Sequence, residues 1–130
     1  MKWFHQFVTS DVQQVMRLDA LESSHPINVV VNHPNEISEI FDRISYSKGA
    51  TILRMLNAFL GEKTFRRGVT NYLKLRQYGN AVQEDLWDAL TKQAITDKIP
   101  LPASVKDIMN TWTLNMGQFP FINFVWKFKI

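Results

Sequence analysis

At 130 residues the chain has the length of one domain, and 45% hydrophobic with 12% aromatic content supplies a core and excludes a disordered segment. Fifteen basic residues against twelve acidic ones give a net charge of +3, too mild to imply nucleic acid by itself. There is no cysteine, so no disulfide framework or thiolate metal site is possible within the chain. No apolar run reaches the roughly 18–20 residues of a membrane span, and the opening MKWFHQFVTSDVQQ turns polar too soon for a signal peptide.

The elements follow from hydrophobic spacing and from the residues that start and stop helices. Phe4 to Glu22 reads as a helix, with Phe7, Val8, Val12, Val15, Met16 and Leu18 near helical spacing. Pro26 disfavours helix at His25, and Asn28 to Val31 reads as extended or as a lone strand. NHPNE turns into a short helix, Asn35 to Arg43, carrying Ile37, Ile40 and Phe41. A longer helix runs from about Ser45 to Leu60 and stops at Gly61. The next spans Glu62 to about Arg76, with Phe65, Val69, Tyr72 and Leu73 as its apolar stripe. After YGNA, a helix from Val82 to Ile95 buries Leu86, Trp87 and Leu90. Ser104 is positioned to cap a last helix through Ile108, Met109, Trp112 and Leu114, which Gly117 closes. Beyond Pro120, Ile122, Phe124, Trp126, Phe128 and Ile130 alternate with other residues, the period of a strand. That strand has no visible partner, and the simplest expectation is that the chain ends where a β domain begins.

Few groups carry obvious chemistry. His5, His25 and His33 include no i, i+4 pair, so the H-E-x-x-H zinc geometry is absent, and turn or surface roles suit them better than ligation. No G-x-G-x-x-G, P-loop or G-x-S-x-G occurs. Ser23 and Ser24 beside His25 make no triad and read as capping or turn residues. Lys63, Arg66, Arg67, Lys74 and Arg76 read as a solvated face, since no aromatic is interleaved for base stacking. Tyr46 is different. On a helix begun at Ser45, Ile52, Leu53, Leu56 and Leu60 define the buried stripe and Tyr46 falls on its border. Gly49 and Ala50 follow one turn later and add almost no bulk. Spacing leaves two readings open: a core tyrosine with Gly49 permitting close packing, or a phenol aimed into a cleft.

DALESSHPI, EIFDRISYSKGATILRML and DIMNTWTLNMG, in this order, resemble the zinc aminopeptidases of the M1 family, in wording nearest the aminopeptidase N group of insects. The likeness runs from about Gln6 to Gly117. It implies an all-α, multi-helix bundle equivalent to the helical subdomain of a thermolysin-like (gluzincin) catalytic domain, over residues 1–117. Residues 118–130 are expected to be a divergent tail, either the start of a β domain or a truncated end, with one terminal β-strand. The resemblance implies a zinc enzyme that removes N-terminal residues from peptides, with zinc held by H-E-x-x-H and a later glutamate, and with G-x-M-E-N gripping the substrate amine. It assigns Tyr46 to stabilising the oxyanion, since a phenol keeps its proton at neutral pH. Gly49 and Ala50 then belong to the substrate cleft.

H-E-x-x-H and G-x-M-E-N are absent here, so the chain is expected to carry no zinc ligand and, as a fragment, no activity of its own. Its partners in the full enzyme are peptides rather than nucleic acid, with any membrane association through missing segments. Members of the family are often at the plasma membrane or extracellular. The other readings are a helical interaction module built on the same scaffold and, weaker, a basic nucleic-acid binder.

Overall fold

The computed structural model describes residues 7–117. The terminal strand and the tail 118–130 lie outside the described residues, as do Phe4 and His5. Two compact units are present: Met1–Leu53 with Thr111–Ile130, and Arg54–Asn110. Among the described residues the fold is all-α, with five α-helices and no sheet.

In the first unit, a π-helical turn at Val8–Val12 leads into helix α1, Gln13–Asp19. A second π turn, Ile44–Lys48, leads into α2, Gly49–Leu60. The first helix packs on the second π turn. Val15, Ile44, Ile52 and Trp112 are buried in this unit. Both π turns fall where hydrophobic periodicity reads as plain α-helix, because a turn one residue wider leaves the apolar spacing almost intact.

Two expectations change here, and of the two readings of Asn28 to Val31 the lone strand falls. Asn28 to Val31 joins no strand, and the Asn28 N–H donates to the Thr113 carbonyl (2.9 Å). The helix expected over Asn35 to Arg43 is one 3₁₀ turn, Pro34–Ile37, with Ile37 and Phe41 exposed. His33 caps that turn by accepting from the Asn35 N–H (3.2 Å), and Ser38 donates its hydroxyl to the Asn35 carbonyl (2.9 Å). Such side-chain bonds to nearby backbone compete with helix continuation. Leu53 is half-exposed, so the buried stripe of α2 is Ile52, Leu56 and Leu60.

The second unit is built on a helical hairpin. Gly61, at φ +79°, separates α2 from α3, Glu62–Leu75, in a conformation that favours glycine. Helix α4, Gln83–Thr96, is opened by Asp85, whose carboxylate accepts from the Val82 N–H (3.0 Å). Helix α5, Val105–Thr113, is capped by Ser104, whose Oγ accepts from the Asp107 N–H (3.1 Å). It stops before Leu114, which is half-exposed. Trp87, Leu90, Ala94, Val105, Ile108 and Met109 are buried.

The inward face of α3 is not the expected apolar stripe. Thr64 and Gly68 are the buried residues; Phe65, Val69 and Tyr72 flank them, and Leu73 is exposed. A Cβ at Gly68 would sit 2.7 Å from Leu90 Cδ2 and 3.4 Å from the Leu90 Cα. The hairpin therefore closes through a missing side chain, and polar bonds border it: Asn71 to Gln93 (2.8 Å), Thr64 to Asp97 (2.9 Å), and Arg67 to Asp97 (2.7 Å). Gly68→Val is expected to cost about 1–3 kcal/mol by overpacking against fully buried Leu90. A urea titration checks this, and an unchanged midpoint contradicts the close approach.

Candidate functional site

Tyr46 sits in the middle of the π turn Ile44–Lys48, and its placement begins with Asp42. One oxygen of that carboxylate accepts from the Ser45 N–H (2.9 Å), and the Asp42 carbonyl accepts from the Tyr46 N–H (3.2 Å). The Ser45 hydroxyl turns back to the Ile40 carbonyl (2.5 Å). These bonds occupy donors that a starting helix leaves without partners. The Tyr46 side chain points outward and is 65% exposed. Its ring lies 6.4 Å from that of Phe41, tilted by 41°. Ile40, Phe41, Ser45 and Tyr46 line a shallow depression of about 200 Å³. No hydrogen bond joins the phenol hydroxyl to another described residue.

Gly49 and Ala50 lie on the other side of the ring along the chain and do not line that depression. A Cβ built at Gly49 meets nothing within 4 Å, so no neighbouring element requires glycine there for close packing. Ala50 is exposed. The surface following Tyr46 is thus open.

The far oxygen of Asp42 faces His25 Nε2 at 3.0 Å, and His25 Nδ1 lies 2.7 Å from the Pro26 carbonyl. Both ring nitrogens face oxygen acceptors, an arrangement that only the doubly protonated imidazolium satisfies. Burial opposes that charge, as does Lys48 nearby, yet the bonds to Pro26 and Asp42 outweigh them and raise the His25 pKa above its ordinary value. His25 thereby ties the loop after α1 to the cap of Tyr46's turn.

Sequence reasoning passed over the most buried charges in the unit. Lys48, two residues after Tyr46, turns inward and is 6% exposed; Asp19, at the end of α1, is also 6% exposed. Lys48 Nζ lies 3.0 Å from Asp19 Oδ2 and donates to the Asn115 carbonyl, also at 3.0 Å. Ser24 donates its hydroxyl to Asp19 Oδ1 (2.7 Å), and the Gly117 N–H adds a further bond. Burial alone raises a carboxyl's pKa; the Ser24 hydroxyl, the Lys48 ammonium and the Gly117 N–H together hold Asp19 below 3.8. A signal was present. Ile44, Lys48 and Ile52 share an i, i+4, i+8 face, so the lysine interrupts a buried stripe.

The other candidates resolve locally. His25 and His33 are engaged as above and do not meet at a common point. Among the described residues no group of three or more His, Asp or Glu is placed to hold a metal ion, so these residues do not fit a zinc site. On α3, Arg67 pairs with Asp97 and Arg76 with Asp85, while Lys63, Arg66 and Lys74 are exposed. No described helix is long and apolar enough to cross a membrane.

Comparison with known proteins adds an independent line. A model of the Peptidase family M1 domain matches residues 1–112. The chain is 50% identical over 118 residues to a protein of Homo sapiens named Aminopeptidase N, covering 88% of this chain and 12% of that one. It is 49% identical over 122 residues to Aminopeptidase 2, mitochondrial, of Saccharomyces cerevisiae, covering 94% and 12%. Aminopeptidase N of Rattus norvegicus is 51% identical over 120 residues, covering 88% and 12%. The chain therefore spans 12% of the length of these relatives.

Two outcomes follow from the charges. Asp19→Ala leaves a buried ammonium without its carboxylate and is expected to cost about 3–5 kcal/mol in unfolding free energy. A loss under about 1 kcal/mol, the range of exposed pairs, contradicts the burial. For His25 the folded pKa is raised, so its contribution is fully present below about pH 6.5 and lost as pH rises through the folded value. The urea midpoint difference between the protein and His25→Gln should be largest in mild acid and shrink toward alkaline pH. A difference independent of pH contradicts the imidazolium.

Proposed function

This chain belongs to peptidase family M1, and from that premise we propose that it contributes to a peptide-cleaving site that removes N-terminal residues, with Tyr46 as hydrogen-bond donor to the scissile carbonyl oxygen. The observation that carries the reading is Tyr46 itself: the residue is 65% exposed, its hydroxyl has no hydrogen-bond partner among the described residues, and its turn is pinned at both flanks.

The chemistry suits a phenol. When water adds to the carbonyl carbon, negative charge gathers on the oxygen, and a donor already in place stabilises that state more than the bound peptide. The donor must not be engaged elsewhere, and it must not need to move. Tyr46 meets the first condition by its lack of a partner among the described residues. It meets the second because Asp42 and Ser45 fix the turn before it and Lys48 fixes the turn after it. Gly49 and Ala50 leave room for a peptide to lie beside the ring. Phe41, against the phenol on the other side, offers an apolar flank. In this reading the zinc that the family implies is bound by residues other than those described.

Tyr46→Phe in the active enzyme is expected to lower kcat by about 10²–10³-fold, the loss typical of one oxyanion donor. KM and bound metal should change little. An unchanged kcat sinks the oxyanion role and favours a helical scaffold without chemistry at this position. Gly49→Leu is expected to raise KM while leaving the unfolding midpoint nearly unchanged, because the added side chain enters open space; an unchanged KM removes Gly49 from the cleft.

A further inference from the structure

The buried pair behind Tyr46 has more structure than stability requires. Bringing an ammonium and a carboxylate out of water costs several kcal/mol per ion, and well-packed apolar residues in their place are often neutral or stabilising. Here the pair is nonetheless completed: Asp19 also accepts from Ser24 and Gly117, and Lys48 also donates to Asn115. An apolar side chain fills volume but has no preferred angle about the helix axis. An ammonium bonded to two fixed oxygens has one. The turn that bears it is π-helical, a rare geometry that occurs mostly as single turns inside α-helices and is frequent at functional sites. Tyr46 and Lys48 lie two residues apart in that turn, one outward and one inward. A change in register that frees Lys48 therefore also swings the phenol.

We propose that Lys48 is a positioning residue for Tyr46, its buried bond to Asp19 setting the register of the π turn and hence the direction of the phenol. The inference rests on the catalytic reading of Tyr46 for its effect on rate, but not for its effect on the ring.

The test replaces the pair together, Asp19→Leu with Lys48→Met, in the active enzyme, so that no charge is left stranded. The protein should keep its Tm within a few degrees, while kcat falls about 10- to 100-fold, as misplacement of a catalytic group does, with KM nearly unchanged. Adding Tyr46→Phe to that background should cost little further, because the misaimed phenol no longer contributes. A folded double variant with native kcat overturns the proposal. So does a cost for Tyr46→Phe as large in the apolar background as in the native one.

A second readout does not depend on the rate. With 3-fluorotyrosine at position 46, the ¹⁹F resonance should be single and narrow in the native protein and broadened or shifted in the double variant. An unchanged resonance overturns the proposal even if Tyr46 proves catalytically silent; a shifted one with silent Tyr46 supports it and rejects only the oxyanion role. Should that pair fail to fold, Asp19→Ala with Lys48→Met removes the same bond with less bulk to accommodate, and is read by the same two measures.

Discussion

One buried ion pair ties together the segments of the first unit. Lys48 comes from the π turn before α2, Asp19 from the end of α1, and their further partners from the loop after α1 and the segment after α5. The three sequence stretches that most resemble the M1 family, DALESSHPI, EIFDRISYSKGATILRML and DIMNTWTLNMG, meet at this point. The constraint is geometric as much as energetic. A carboxylate with three donors and an ammonium with two acceptors admit little rotation, so the segments they join are fixed in direction.

Tyr46 benefits from that rigidity without taking part in it. Its own side chain makes no internal hydrogen bond among the described residues, while its backbone is held by Asp42 and its neighbours Ser45 and Lys48 are each committed. His25 extends the same arrangement outward, since one Asp42 oxygen caps the turn and the other bonds the His25 ring. In the proposed reading, a donor without a partner among the described residues, mounted on a fixed turn, suits electrostatic stabilisation of a transition state. The second unit serves differently. Its hairpin closes through Gly68 and is bordered by polar bonds, a close fit between two helices.

The helices that matter most to the fold were legible because their signals are local. Gly61 stops α2 and Ser104 caps α5, and α3 ends within a residue of the expected Arg76. The failures share a physical cause: they depend on partners far along the chain. Leu73 fits a helical stripe yet is exposed, because the face that pairs is chosen by how closely Gly68 can approach Leu90. Phe41 looks like core by composition, but the short turn at Pro34–Ile37 leaves it beside Tyr46 at the surface. The π turns were invisible to a period of 3.6 residues. Tyr46 and its small neighbours could be singled out from sequence; the charges behind it were passed over, since a lysine is assigned to solvent by default even where, as at Lys48, it interrupts an apolar face.

The most direct measure of this account is hydrogen–deuterium exchange with and without Lys48→Met. The account predicts that amides of residues 44–49 lose protection when the ammonium is removed, together with those near Asp19 and Asn115, while α3 and α4 exchange as before. Unchanged protection at residues 44–49, or a loss spread evenly across both units, contradicts it.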